Sequence, residues 1–246
     1  MQKSFLPFFF LSTFWISPEL HASDLVYPGG GVLAQIVDGG GTKTTITLIN
    51  LDPTPAPYTL NFYDDNGNAL SLTTTAGTGA VLSGTLNAGG SAIIQTNGTS
   101  KSISQGWALL VTNNTIAGSA VFGLPFNNNV FVEASCPLDT GVNSQFGLPF
   151  DLATAVTGVA LANTYQNMPL TVSVTVNDLN GNKILTDTLT LPGNGHTSFM
   201  LTDKYPQLAN QKGFVIFSGG YYMNVLGLRA TSTTFTSITP IVASGW

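Results

Sequence analysis

Laid over itself at an offset of about 113 positions, the sequence repeats its own pattern, and this repetition limits the architecture more than any other feature. Thr45-Ile46-Thr47-Leu48-Ile49-Asn50 falls on Gly158-Val159-Ala160-Leu161-Ala162-Asn163, and both runs end in Asn. Tyr58-Thr59-Leu60-Asn61-Phe62 falls on Val172-Ser173-Val174-Thr175-Val176, and each leads into a turn, Asp65-Asn66-Gly67-Asn68 or Leu179-Asn180-Gly181-Asn182. Further on, Leu86-Asn87-Ala88-Gly89-Gly90 matches Leu191-Pro192-Gly193-Asn194-Gly195, where the offset has dropped to about 105, and Gly106-Trp107-Ala108-Leu109-Leu110 matches Gly213-Phe214-Val215-Ile216-Phe217. The drop places an insertion of about nine residues in the first copy, within Ser71 to Thr85. Solenoid units span about 20 to 50 residues, so a repeat of this length is a whole domain.

Within each copy the apolar residues recur every second position, as in strands with one buried face. Tyr58, Leu60 and Phe62 point one way, as do Val172, Val174 and Val176. Gly, Pro, Asn and Asp cut the runs every 8 to 12 residues or so, the spacing of a β-sandwich. The only helical prospect is a short turn over Asp203 to Leu208, which Pro206 limits. Asn66-Gly67 and Asn180-Gly181 are hairpin signals, expected as type I′ turns with both central residues at positive φ. The expected fold is all-β: two tandem immunoglobulin-like antiparallel β-sandwich domains, residues 23–140 and 141–246, with the linker near Pro137 to Phe150.

The run Thr157 to Asn163, the turn Asp178-Leu179-Asn180-Gly181-Asn182 and the segment Leu189 to Thr197 together resemble uncharacterised exported bacterial proteins with tandem immunoglobulin-like β-sandwich repeats. These are strand and turn motifs and carry no chemistry. The resemblance implies an envelope or extracellular location, a role as spacer or surface module, and no enzymatic activity. The first copy has Gly90-Ser91 where the second has Gly195-His196, so a shared role for His196 is not implied.

Residues 1–22 read as a signal peptide: Lys3, an apolar run from Phe5 to Ile16, and Ala22 before the cut. At about twelve residues the run is too short for the roughly 20 of a membrane-spanning helix, so no transmembrane span is expected in the mature chain. Only 8% of residues are charged, seven Lys and Arg against twelve Asp and Glu, which gives a net charge of -5. Such a chain lacks the basic surface that neutralises phosphates, so nucleic acid is excluded as a partner. With 43% hydrophobic residues it is also unlike a disordered chain. Cys136 is the only cysteine, so disulfides within the chain are impossible, and the residue reads as buried filler.

The search for chemistry returns no catalytic, cofactor-binding or metal site. His196 is the only imidazole beyond the leader, no Gly-x-Ser-x-Gly elbow accompanies it, and its reading is structural. Glu133 is the only Glu of the mature chain, against the two acids a glycosidase needs. Asp64 and Asp65 are adjacent and point to opposite faces. Asp64, Asn66 and Asn68, and likewise Asp178, Asn180 and Asn182, have calcium-loop spacing, but without a bidentate Glu the turn reading prevails.

The expectation is therefore a non-enzymatic secreted or cell-surface module, without cofactors, serving a structural, adhesion or matrix role. Its partner classes are a surface polymer, a glycan or another envelope protein. A carbohydrate-binding module is the first alternative, with Tyr63, Tyr165, Tyr221 and Tyr222 as its platform and Trp107 assigned to the core beside its counterpart Phe214. An outer-membrane β-barrel is the second, disfavoured by Pro240 in the closing segment. Scarce charge leaves sheet edges weakly guarded, so assembly by strand addition is a further expectation.

Overall fold

In the computed structural model, which describes residues 30–126 and 130–242, the chain is 62% strand and 3% helix. The leader read over residues 1–22 lies outside the described residues. The first half holds β1 (Gly31–Asp38), β2 (Lys43–Asn50), β3 (Ala56–Asp64), β4 (Leu72–Thr74), β5 (Gly77–Gly79), β6 (Val81–Leu86), β7 (Ser91–Gln95), β8 (Ser104–Val111), β9 (Ile116–Phe126) and β10 (Val130–Pro137). The second half holds β11 (Gln145–Asp151), β12 (Val156–Asn163), β13 (Leu170–Asp178), β14 (Lys183–Leu191), β15 (His196–Met200), β16 (Lys212–Ser218), β17 (Met223–Ala230), β18 (Phe235–Ile238) and β19 (Ile241–Val242). A single helical turn, α1 (Leu201–Lys204), and a 3-10 turn, Pro206–Leu208, follow β15, where Pro206 ends the helix.

The strand order is the same in both halves. One sheet runs β1-β8-β3-β6 in the first half and β11-β16-β13-β14 in the second; the other runs β10-β9-β2-β7 and β18-β17-β12-β15. After the last hairpin each chain segment returns to the first strand: Asp139 exchanges both backbone hydrogen bonds with Val32, and β19 pairs with β11. Leaving out β4 and β5, the second strand pairs with the fifth and the third with the sixth in both halves. The first strand lies beside the sixth and the seventh beside the second. Among the described residues no sheet closes on itself, so the barrel alternative does not describe this fold. The insertion inferred from the offset is the β4–β5 hairpin, absent from the second half. It bonds to the end of β7 through Thr75 N–H to Gln95 O and Asn97 N–H to Thr73 O, covering part of an open edge.

The two asparagines that end β2 and β12 do equivalent work. Asn50 donates to Thr54 O (2.7 Å) and Asn87 O (2.9 Å) and accepts from Asp52 N–H. Asn163 donates to Pro192 O (2.8 Å) and Met168 O (3.0 Å) and accepts from Tyr165 N–H. Both are buried, and each ties a strand end to two loops.

The hairpin turns are built alike, though not as type I′. Only Gly67 (φ 81°) and Gly181 (φ 82°) take positive φ, while Asn66 and Asn180 do not. Gly67 N–H donates to Asp64 O and Asp64 N–H to Asn68 O, a three-residue loop closed by a left-handed glycine; Gly181, Asp178 and Asn182 repeat it. One glycine relieves the turn's steric demand, and the Asp side chain orders the rest.

Each sandwich has its own interior. Leu33, Ile46, Leu60, Phe62, Leu110 and Phe122 fill the first, and Leu148, Leu161, Val174, Val176, Val215 and Phe217 the second. Each such side chain contributes about 1.5–3 kcal/mol on burial. The interiors are not isolated, however, because Ala160, Leu226 and Leu228 of the second half pack into the first half's cluster. Val32, Trp107 and Leu109 enclose Ala162 in a third cluster. Ala160, Ala162, Leu226 and Leu228 project from the outer face of the β12–β17 pair, since their neighbours Val159, Leu161 and Val225 face the second interior. Trp107 and Leu109 likewise project from the outer face of β8, opposite in sense to Ala108 and Leu110. The first sheet of one half thus stacks on the second sheet of the other. This explains why β1 is buried at all eight residues, whereas β2 alternates.

Candidate functional site

The seam between the halves gathers the polar side chains with the most unusual surroundings. Asp65, one residue past the end of β3, reaches the start of β15. Its Oδ1 lies 2.7 Å from His196 Nδ1, and its backbone carbonyl accepts from His196 N–H at 3.1 Å. Gln105 Nε2 donates to the second carboxylate oxygen at 2.8 Å, and Ser198 Oγ donates to Gln105 Oε1 at 3.0 Å. The His196 side chain is fully closed to solvent, while that of Asp65 is 40% exposed. Burial pushes the Asp65 carboxyl upward, but the hydrogen bonds from His196 and Gln105 and the attraction of the imidazole outweigh it and hold it below the usual carboxylate range. The carboxylate is therefore ionised at neutral pH, and Nδ1 carries the proton it donates.

Beside this network the indole Nε1–H of Trp107 donates to Asn194 O at 2.7 Å, and Tyr63 stacks on the indole at 4.9 Å between centroids. Asn194 holds the left-handed conformation (φ 55°) that aims its carbonyl at the ring. Gly67 abuts the same loop: a Cβ there would sit 2.0 Å from Gly193 O. Trp107 is buried as expected from sequence, but in the seam and not in the sandwich interior. Its counterpart Phe214 is half-buried on the outer face of β16.

His196 therefore joins the two halves of the chain. Catalysis by a triad needs a hydroxyl on the second ring nitrogen. Ser198 is committed to Gln105, and His196 Nε2 is buried with no hydrogen-bond partner among the described residues. Glu133 is exposed on β10. Asp64 Oδ1 accepts from Asn66 N–H (2.9 Å) and Asn68 N–H (2.8 Å), and Asp178 repeats this with Asn180 and Asn182, so these acids serve their turns. No group of three or more His, Cys, Asp or Glu with metal-binding placement occurs among the described residues. Cys136 faces the first interior, where burial pushes its thiol up to about 12.

The tyrosines divide. Tyr63 belongs to the seam. Tyr165 and Tyr222 lie 4.3 Å apart, and Tyr221 beside them is 51% exposed. Tyr221 and Tyr222 border a small cleft together with Thr164, Asp139 and Asn224, at the point where Asn224 Nδ2 donates to Asp139 Oδ2 (2.7 Å) across the seam.

Sequence reasoning missed Asp65, Gln105 and Asn194 as partners. The available signal lay in positions where the copies disagree: Asp65, Gln105, Trp107 and His196 stand where the other copy has Leu179, Lys212, Phe214 and Ser91. No protein-family model matches the chain, and searches of curated proteins and of solved structures also find no match.

Proposed function

We propose that the chain is an exported, non-enzymatic surface or matrix module, built from two immunoglobulin-like sandwiches locked into one unit. The shared pairings of second with fifth and third with sixth strands support the immunoglobulin-like kinship. The observation that carries the functional reading is the seam: an apolar contact between two sheets, fastened by Asp65–His196 and Trp107–Asn194, fixes the placement of the two modules. A chain that must hold two sets of loops at a constant spacing needs such a joint; a flexible tether does not.

The unit offers polar, sparsely charged sheets and loops to a polymer or envelope protein, and hydrogen bonds from Thr, Asn and Ser dominate its contacts. Fractionation of cells producing the full chain tests the location, with the protein expected at the surface or in the medium. Binding to isolated envelope material tests the contacts. Near-constant binding between low and physiological salt supports the proposal, and a collapse of binding overturns it.

A second reading, glycan binding, is favoured by one observation: Tyr165, Tyr221 and Tyr222 come together beside a polar cleft. A glycan array followed by Tyr221→Ala and Tyr222→Ala tests it. Loss of a glycan signal in the variants supports the platform, while no signal at all, or unchanged signal in the variants, removes it.

A further inference from the structure

The sheets that begin with β1 and β11 end in equivalent strands, β6 and β14, each paired on one side only. Most other borders are covered at least in part among the described residues. Asp139 and β19 lie against β1 and β11, the β4–β5 hairpin bonds to the end of β7, and β10 runs beside β18, where Ser135 Oγ and Ser237 Oγ are 2.9 Å apart. Of the two open strands β14 is the longer, nine residues without Gly or Pro, against six in β6 with Gly84 among them. An edge of that kind pairs readily with another chain unless something prevents it.

The sequence of β14 matches itself. When a second β14 is laid antiparallel along the first over its whole length, Leu185 falls opposite Leu189 and Thr186 opposite Thr188. The leucines lie on the inner face, opposite Val176 and Val172 of β13, and the threonines are exposed on the outer one. Apolar thus meets apolar and hydroxyl meets hydroxyl, the cross-strand pairs that stabilise a sheet. Backbone direction agrees. Thr188 N–H is turned away from β13, since Asp187 Oδ1 accepts from it at 2.7 Å, and in an antiparallel ladder Thr186, two residues back, is turned the same way. These are the residues whose backbone groups an added strand would bond, and the full-length register brings them together.

Asp187 is the exception. It is the central residue of the strand and falls on itself, so two carboxylates would stand directly opposite. Asp187 pairs with Val174 as Leu82 of β6 pairs with Leu60. Leu82 is buried in the first interior, whereas Asp187 is half-buried, with Oδ2 accepting from Tyr205 Oη–H at 2.9 Å. The hydrogen bonds from Thr188 N–H and Tyr205, helped by the charge of Lys204, outweigh desolvation and hold its carboxyl below the usual carboxylate range, so it is ionised at neutral pH. The side chain therefore acts twice: it sets a charge on the axis of self-pairing, and it occupies an N–H that an incoming strand needs.

We propose that β14 is a docking edge for a second copy of this chain, in a two-fold contact with its axis at residue 187, and that Asp187 keeps this edge shut. The inference does not depend on the surface-module reading.

Sedimentation velocity of the full-length chain at neutral pH, with amide exchange followed by NMR, tests it. In wild type the Thr186 amide should exchange freely. Asp187→Asn, which keeps the shape without the charge, and Asp187→Leu, which takes the residue of the first copy, should both self-associate at least about tenfold more tightly than wild type, with protection gained at Thr186. Asp187→Glu keeps the charge and should behave as wild type. Thr188→Pro, added to either associating variant, removes an N–H that β13 does not use and should restore the wild-type size. Should Asp187→Leu fail to fold for want of an acceptor for Tyr205, Asp187→Asn carries the test. The proposal is overturned if wild type already pairs along β14, if folded Asp187→Asn keeps the wild-type size, if Asp187→Glu associates as strongly as Asp187→Asn, if association survives Thr188→Pro, or if the protection gained lies away from β14.

Discussion

His196 Nδ1 lies 2.7 Å from Asp65 Oδ1, so a ring sealed from solvent at the start of one module is held by a turn of the other. Exchange of Asp65→Asn keeps the shape and removes the charge. Because the carboxylate is more than a third exposed, its contribution is reduced by solvent screening to about 1 kcal/mol. Urea unfolding of the variant should show a loss of that size, and a similar loss is expected for His196→Phe.

The same pair sets an acid limit. The folded Asp65 carboxyl titrates below its unfolded value of 3.8, so its stabilisation is complete above that value and is lost as pH falls through the folded one. Other acids are lowered too, so the test is a difference. The stability gap between wild type and Asp65→Asn should shrink as pH falls below about 4.

Gly67 and Gly181 share a turn and a positive φ, yet only Gly67 meets the other module. Gly181→Ala should cost about 1 kcal/mol from backbone strain alone. Gly67→Ala adds a collision with Gly193 O and should cost clearly more, with amide exchange accelerated on both sides of the seam.

Asn163→Ala strips two carbonyls and one N–H of their buried partner, and a loss of about 2–3 kcal/mol is expected on thermal or urea unfolding. Asn50→Ala should match it to within about 1 kcal/mol, since the two side chains make corresponding bonds.

Cys136, with its thiol raised to about 12 and its side chain buried, should resist a disulfide reagent at pH 8 while the protein is folded. It should react at once in urea, which makes its labelling rate a gauge of opening.

Much of the architecture was readable from residue patterns. The alternation of Tyr58, Leu60 and Phe62, and of Val172, Val174 and Val176, placed each set on the inner face. The shift in offset located the β4–β5 hairpin, because an insertion changes spacing whatever its fold. The turn type was misread, since Asn tolerates positive φ without requiring it. The seam was hidden for a similar reason: Trp107 on an outer face satisfies the same alternation as a residue facing solvent, and only a neighbouring module decides whether it is buried.

The modules meet through unlike faces, the first sheet of one against the second sheet of the other, which gives the pair a direction. The corresponding face of the second module, its β13–β16 side, is finished differently: where the first copy presents Tyr63 and Trp107, the second has Asn177 and Phe214, and next to them Thr171, Ser173, Thr186 and Thr188 point outward. Two copies with the same strands thus carry unlike outer surfaces, one apolar where it meets its neighbour and the other dressed in hydroxyls that prefer water.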